Sequence, residues 1–248
     1  MDFTSTDSLD GDVIERAFTL GDIPGILWTP STASADTPAP IILLGHPGDI
    51  GRMHPRLAAR ARSAAADGFA ALTIELPGGP GRTPLVEVER ARADLRRALQ
   101  AGEPVTPDVI DRLILPLVER AVPEWQATME AVLSLDEIGG PVGFSGGVIA
   151  IAVRLAAVDQ RVRAAALFAG SFVPTATLTD AAQVTIPLHV LLQWDDEGND
   201  RQQALDLFDA LGSADKTLEA NMGGHTGVPP HAGESAARFF ARHLRATE

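Results

Sequence analysis

One serine lies among glycines in a pattern that suits a nucleophile. The segment Gly143-Phe144-Ser145-Gly146-Gly147 follows a short apolar run and precedes an alanine-rich helical pattern. In that context the spacing G-x-S-x-G predicts a sharp turn between a strand and a helix, with the serine hydroxyl exposed at the end of a sheet. Small neighbours favour such a turn, because the strand and the helix pass close together there. Gly-Ser-Gly also occurs in ordinary turns, so the assignment of Ser145 depends on its partners.

Candidates for those partners follow two late strands. A serine hydroxyl attacks a carbonyl only when a base takes its proton, and the base needs an acid to hold its tautomer. The apolar run 188–192 is followed by an acidic stretch that includes Asp195 and Asp196, and the run 217–220 is followed by a glycine-rich loop with His225. The order Ser, Asp, His is a known triad order. Residues just beyond the carboxyl ends of parallel strands meet at one crevice, so these groups are expected to converge.

The other histidines occupy less suitable positions. None of them combines flanking glycines with a place after the last strand, which makes His225 the candidate base. They lie within a predicted strand, late in a helix, near helix starts, or directly after the strand 41–44, where the histidine is expected to anchor its loop (His189, His243, His54, His231 and His46).

The elements that carry these residues alternate between strand and helix. Such alternation predicts an α/β fold, with a mostly parallel eight-stranded sheet and helices on both faces. The candidate strands cover 13–20, 23–28, 41–44, 69–76, the run before Ser145, 162–168, 188–192 and 217–220, and helical patterns cover 54–66, 200–211 and 234–244.

Residues 83–133 interrupt this alternation with helical pattern alone. Thr106-Pro107-Asp108 is typical of a helix start, and Pro123-Glu124-Trp125 predicts another. The segment therefore predicts two or three helices before the serine strand. They would either cover the site as a small lid or pack against the sheet, and the pattern does not decide between these arrangements.

Composition limits the classes of function. A chain of 248 residues suits a single domain, 1–248. It has no cysteine, so thiolate chemistry is excluded, and a formal net charge of −13 argues against nucleic acid and anionic membranes as partners. The polar N-terminus carries no secretion signal, which predicts a cytoplasmic protein. No His/Asp cluster has metal-ligand spacing, so neither a metal nor another cofactor is expected.

With these motifs in place, the chain resembles the α/β-hydrolases and is similar to the dienelactone-hydrolase-like serine esterases. The resemblance covers essentially the whole chain. It implies that Ser145 is the nucleophile, His225 the general base and Asp196 the orienting acid. The segments that carry it are Gly45-His46-Pro47-Gly48, Leu76-Pro77-Gly78, Gly143-Phe144-Ser145-Gly146-Gly147, Trp194-Asp195-Asp196 and Gly223-Gly224-His225.

The identity of the acid depends on the register of one loop. Relatives carry a Gly-x-x-Asp turn after this strand, and the spacing from Gln193 to Asp196 matches it without the glycine. That favours Asp196, while Asp195 and Glu197 remain alternatives.

The same resemblance assigns an oxyanion hole, which needs two backbone N–H groups aimed at the developing negative charge. Gly146, directly after the serine, supplies one. Pro47 has no N–H, so Gly48 is the second candidate donor. Asp49 follows it and is expected to face solvent or to pair with Arg52. Glu75, before Leu76-Pro77-Gly78, is expected to secure this loop.

The function implied is hydrolysis of small acyl or aryl esters through an acyl-enzyme on Ser145. Two alternatives are open: a domain that binds a small molecule without turning it over, and hydrolysis of a lactone, thioester or carbon–carbon bond on the same scaffold. Three tryptophans would either line an apolar pocket or fill the core (Trp28, Trp125 and Trp194). The sequence sets no oligomeric state.

Overall fold

The computed structural model describes residues 1–245, which form one large sheet with helices on both faces. The strands are β1 (Asp2–Leu9), β2 (Val13–Leu20), β3 (Ile23–Pro30), β4 (Ala39–Gly45), β5 (Ala70–Ile74), β6 (Ile138–Gly146), β7 (Val162–Phe168), β8 (Leu188–Gln193) and β9 (Lys216–Asn221). The helices are α1 (Ile50–Ala66), α2 (Val86–Ala101), α3 (Pro107–Leu133), α4 (Ile149–Val158), α5 (Thr175–Ala181), α6 (Arg201–Ala210) and α7 (Pro230–Leu244).

The sheet has the strand order β1-β2-β3-β5-β4-β6-β7-β8-β9. The first three strands pair antiparallel, and β3 also pairs antiparallel with β5. From β5 to β9 all neighbours are parallel. Parallel neighbours need crossover connections, and helices supply them, so the alternation of strand and helix reflects this topology. The predicted α/β class with a mostly parallel sheet is confirmed.

The sheet contains nine strands in the described part of the chain, one more than predicted. The additional strand, β1, is polar and almost entirely exposed, and it lies at the edge of the sheet, where it pairs with β2 alone. A strand that buries neither face has no need of apolar residues, so the hydrophobic pattern used for the prediction does not detect it.

The two faces of the sheet carry different helices. In β4, Ile41 and Leu43 belong to the core beneath α2 to α6, whereas Ile42 and Leu44 belong to the core beneath α1 and α7. Successive residues of a strand point to opposite faces. Because both faces are covered, the strand reads as a continuous apolar run.

The region 83–133 forms two helices rather than three. The predicted helix start at Pro123 is wrong, because α3 continues through Pro116 and Pro123. A proline inside a helix removes one backbone hydrogen bond, but the buried face of α3 is continuous across it and keeps the helix packed. Trp125 on that face meets the Phe144 ring edge-on, with the ring centroids 5.7 Å apart. Helix α3 is thus part of the core, and α2 also contributes to it through Val88 and Ala91, while a lid remains an untested alternative.

No helix among residues 1–245 has the length and apolar character needed to cross a membrane.

One buried histidine lies between β8 and β9. His189 is 8% exposed, and its Nδ1 lies 3.1 Å from the Thr217 Oγ1. Burial desolvates the ring and lowers the pKa of His189, and the nearby Glu219 carboxylate only partly opposes this shift. The folded protein therefore favours the neutral ring.

This burial makes part of the stability dependent on pH. As the pH falls through the ordinary value of about 6.5, the unfolded chain protonates His189 before the folded protein does, so stability is lost in acid. We expect His189→Gln to reduce the slope of the unfolding free energy against pH between pH 7 and pH 5. Urea denaturation of the parent protein and of the variant over that pH range measures the two slopes, and equal slopes would contradict the prediction.

Candidate active site

The predicted elbow is a real turn, but its left-handed residues come after the serine. Ser145 pairs within the sheet opposite Leu44 and Ala166, so it still has the conformation of a strand. The positive φ angles belong to Gly146 (74°) and Gly147 (75°). Helix α4 begins two residues later, at Ile149. The turn therefore reverses the chain just beyond Ser145 rather than at it.

Glycine is required where this turn touches the end of β4. A Cβ atom on Gly147 would lie 2.7 Å from the Gly45 Cα, and one on Gly45 would lie 2.8 Å from the Gly146 carbonyl oxygen. These are backbone atoms, so no side chain can move aside to make room. The close passage expected from the sequence is present between β4 and the turn.

Gly147→Ala is expected to destabilise the fold by about 2–4 kcal/mol, because it adds a clash to a left-handed conformation. Gly233→Ala is the matched control. It adds the same methyl group within α7, where no atom lies within 4 Å and φ is not positive, so it should be neutral or slightly stabilising. Urea unfolding of the two variants checks the difference, and similar stabilities would show that the turn tolerates a side chain.

The side chain of Ser145 faces α1 and α7. In β6, Phe144 points into the core beneath α3, and a Cβ on Gly143 would contact Phe240 and Leu244 of α7. By alternation Ser145 shares the face of Gly143, and it lines a groove between α1 and α7. No hydrogen bond within residues 1–245 joins its hydroxyl to His225.

Two of the predicted site residues do meet. The Nδ1 of His225 lies 2.7 Å from the Oδ2 of Asp196, whose side chain is 4% exposed while that of the histidine is 46% exposed. A carboxylate only accepts hydrogen bonds, so Nδ1 donates and Nε2 is left without a proton. Asp195 and Glu197 are exposed, and of these three neighbouring acids it is Asp196 that contacts the imidazole.

Asp196 is held in its ionised form. Burial by itself raises the pKa of this carboxyl, but hydrogen bonds from His225, the Gly198 N–H and the Asn199 amide outweigh it, so the pKa is lowered. The Gly198 nitrogen lies 2.9 Å from Oδ1, and the Asn199 Nδ2 lies 2.8 Å from Oδ2. Both oxygens thus have partners besides His225, which fixes the orientation of the carboxylate.

The loop of His225 is tied to the sheet. Gln193, a buried residue at the end of β8, donates from Nε2 to the Gly224 carbonyl at 3.0 Å. The His225 ring also meets the ring of Phe168, at the end of β7, edge-on at 5.6 Å between centroids. The sequence analysis assigned no functional role to Gln193 or Phe168. A polar residue at the end of a buried strand, such as Gln193, could have indicated a role for that residue.

The predicted oxyanion donor Gly48 is already hydrogen-bonded. Its N–H donates to the Nδ1 of His46 at 3.1 Å, and the Nε2 of His46 lies 2.9 Å from the Ile74 carbonyl oxygen. A carbonyl only accepts, so Nε2 carries the proton and Nδ1 is free to accept. His46 is 2% exposed and anchors its loop as predicted.

Glu75 secures the same loop, as expected. Its carboxylate accepts hydrogen bonds from the backbone N–H groups of Asp49, Ile50 and Leu76, at 3.1, 2.8 and 3.0 Å. Asp49 has a left-handed φ of 59°, and its side chain accepts from the backbone N–H of Arg52, which caps α1. The cap explains why α1 begins at Ile50, before the predicted start at 54.

An arginine that sequence analysis missed lies behind the turn. Arg60 donates from Nη2 to the Ser145 carbonyl at 2.7 Å and from Nη1 to the Gly45 carbonyl at 3.1 Å. It follows Leu57 by three residues and precedes Ala64 by four, on the buried stripe of α1. A lone charge at an apolar helical position was the available signal.

The described residues contain no metal site, and two of the three tryptophans lie in the core. No three His, Asp or Glu side chains there are grouped so that they could hold a metal ion. Trp28 and Trp125 are 1% exposed and belong to the core, which is the second of the two alternatives stated for them. The Cζ atom of Arg201 lies 4.3 Å from the centroid of the Trp194 ring, so the guanidinium stacks on the third tryptophan.

Comparison with known proteins supports the fold. No protein-family model and no curated protein matches the sequence. A PEG-bound, cold-adapted esterase from an Arctic intertidal metagenomic library has a TM-score of 0.78 and 25% identity, covering 99% of this chain and 100% of that one. A dienelactone hydrolase from Anabaena variabilis gives 0.61 at 20% identity, over 94% and 100% of the two chains. Acetyl xylan esterase 1 from Thermoanaerobacterium sp. gives 0.67 at 12% identity, over 97% and 87%.

These structures share a mixed α/β architecture with the present chain over nearly its whole length. The resemblance inferred from the sequence motifs is confirmed for the fold: the chain has the α/β-hydrolase fold in its dienelactone-hydrolase-like form.

Proposed function

We propose that the protein hydrolyses carboxylic esters, with Ser145 as nucleophile, His225 as general base and Asp196 as the acid that orients it. The observation that carries the proposal is the 2.7 Å hydrogen bond between Asp196 and the His225 Nδ1, because it leaves Nε2 free to take a proton. The similarity to a cold-adapted esterase at 25% identity over 99% of the chain supports the same reaction class.

The position of His225 relative to β6 also supports the proposal. Ser145 lies opposite Ala166 of the neighbouring strand β7, and Phe168, two residues further along β7, touches the His225 ring. Adjacent strands are about 4.8 Å apart, and the imidazole, although it follows β9, touches the end of β7, the strand next to that of Ser145. Catalytic hydrogen bonds in unliganded enzymes are often long and tighten when substrate binds. Bringing the Ser145 hydroxyl to Nε2 requires a change in the backbone of Ser145 itself, which pairs with Leu44 and Ala166 in this structure.

The chemistry would then follow the serine-hydrolase sequence. Nε2 of His225 removes the Ser145 proton as Oγ attacks the ester carbonyl, and Gly146 and Gly48 donate backbone N–H groups to the oxyanion. The tetrahedral intermediate collapses, the protonated imidazole gives its proton to the leaving alcohol, and an acyl-serine remains. Water, deprotonated by the same nitrogen, attacks the acyl-serine, and the imidazolium returns that proton to the Ser145 Oγ as the acid is released. The Gly48 N–H must leave His46 in order to bind the oxyanion.

A cavity beside the oxyanion loop would receive one side of a small ester. Its volume is about 310 Å³, which is at the lower end of the range for ligand pockets. The cavity lies between the loop at Gly48, the loop after β5 and α2. Its lining is mixed. Six apolar residues could contact a small acyl or aryl group (Leu76, Pro77, Pro80, Leu85, Val88 and Leu117), and four charged side chains share the wall (Asp49, Arg52, Glu89 and Arg92).

A fluorophosphonate probe tests the proposal directly, because it reacts covalently only with an activated serine. We expect mass spectrometry of the labelled protein to place the adduct on Ser145. Prior addition of substrate ester should slow the labelling. An unlabelled protein that is fully folded by circular dichroism would reject the assignment.

A second candidate function is non-catalytic binding of a small molecule. Two observations favour it: Ser145 retains a strand conformation, and the Gly48 N–H is engaged by His46. In a binding protein neither group would rearrange, so the probe would not react. The labelling experiment therefore separates the two functions.

A further inference from the structure

A groove between α1 and α7 has one cationic side chain in its lining. The cavity has a volume of about 290 Å³, and most of its lining is apolar or small. Arg60 supplies the cationic group, and Ser145 contributes its hydroxyl. The apolar walls come from β4, the chain before β5 and α7 (Ile42, Leu44, Phe69, Ala236 and Phe240).

The charge on Arg60 has no acidic partner within residues 1–245. Its guanidinium donates to the carbonyl oxygens of Gly45 and Ser145, and these two neutral acceptors are its hydrogen-bond partners. Burial lowers the pKa of Arg60 to about 10, which still leaves it protonated at neutral pH. Arg60 is partly buried, and a charge that is largely removed from water is costly unless it is paired, so the site favours an anion.

The guanidinium keeps donors for a ligand. Arginine carries five N–H groups in a fixed fork that suits a carboxylate, and the two carbonyl contacts leave others available. The acid that lines the same groove, Asp67, is paired with Arg245, whose Nη2 lies 3.4 Å from its Oδ1. Asp67 is therefore occupied by its own partner and does not neutralise Arg60.

We propose that the α1–α7 groove is a binding site for a small organic monocarboxylate with an apolar body. The carboxylate pairs with Arg60, and the body packs against Phe69 and Phe240. The volume near 290 Å³ suits a short aliphatic or a single-ring acid. This proposal does not rest on ester hydrolysis, because none of its contacts uses His225 or Asp196.

Isothermal titration calorimetry of the full chain with hexanoate and 1-hexanol tests the proposal. These ligands have the same carbon skeleton and differ in charge. Because a carboxylate forms charge-assisted hydrogen bonds with Arg60, we expect hexanoate to bind about tenfold or more tighter than 1-hexanol. Arg60→Gln should reduce the affinity for hexanoate to that for the alcohol. Arg56→Gln, an exposed arginine one turn earlier on α1, should leave it unchanged.

Two further variants keep the result decisive. Ala237→Phe fills the groove and leaves Arg60 in place, so it should abolish hexanoate binding even if Arg60→Gln does not fold. His225→Ala should bind hexanoate as the parent protein does while losing ester hydrolysis, because His225 does not line the groove, and this separates the site from ester hydrolysis. Equal affinity for hexanoate and hexanol, or full binding by folded Ala237→Phe, would overturn the proposal and leave Arg60 as a clamp on two carbonyls.

Discussion

Ser145→Ala is expected to reduce the turnover of p-nitrophenyl acetate by about 10⁴–10⁶-fold, because the variant has no oxygen that can form the acyl-enzyme. The hydrogen bond between His225 and Asp196 remains intact, so the loss of turnover is due to the missing nucleophile alone. A panel of esters with graded acyl length, measured on both proteins, shows whether the loss is uniform. A uniform loss is expected, since every substrate must pass through the same serine.

The control for this variant is Ser63→Ala, which removes an exposed serine that lines the same α1–α7 groove. It should retain parental turnover. Near-parental hydrolysis by a folded Ser145→Ala protein would mean that another group attacks the ester, and the proposed mechanism would then be wrong.

Asp196→Asn is expected to reduce turnover by about 10³–10⁴-fold. An amide at this position can present its N–H to Nδ1 of His225, which would place the ring proton on Nε2 and remove the base. The amide also carries no charge with which to stabilise the imidazolium that forms during attack. The substitution keeps the shape of a side chain that is 4% exposed, but its NH2 group must face a donor, either the Gly198 N–H or the Asn199 Nδ2, so circular dichroism should show that the variant is folded.

The matched control is Asp195→Asn, one residue earlier in the same loop. Asp195 is exposed, so this variant should keep turnover within a few-fold of the parent. A loss confined to Asp195→Asn would transfer the role of the acid to that residue. The double variant Ser145→Ala/Asp196→Asn should be no slower than Ser145→Ala alone, because the acid acts only through the serine.

Most of the architecture of this protein can be predicted from local sequence patterns. Apolar runs such as 41–44 and 162–168 indicate strands covered on both faces, and helical patterns between them require a parallel sheet. These signals depend on burial, because buried positions hold apolar residues that recur along the sequence with the period of the strand or helix. For that reason the fold class could be predicted, whereas the exposed strand β1 could not.

The pairing of His225 with an acid was also accessible from the sequence, because both residues follow late parallel strands. The choice of Asp196 over its neighbours was made there by loop spacing, and the structure supplies a physical reason. Gly198 and Asn199 bond to its carboxylate and hold it beneath the imidazole. Three adjacent acids look alike in a sequence, and only the folded loop distinguishes the buried one.

Other features were decided by tertiary packing alone. The direction of the Ser145 side chain depends on where the turn falls relative to the last residue of β6, and the sequence pattern does not fix that register to one residue. The Nδ1 of His46 can accept the Gly48 N–H because its Nε2 bonds to the Ile74 carbonyl of β5, and Arg60 is placed by the ends of β4 and β6. Both features therefore depend on contacts between segments that are distant in sequence. The sequence by itself therefore determined the buried, mostly parallel part of the sheet and the chemical groups near its strand ends. The packing of distant segments decided which of those groups touch, because hydrogen bonds act over about 3 Å and periodic burial specifies position much more coarsely.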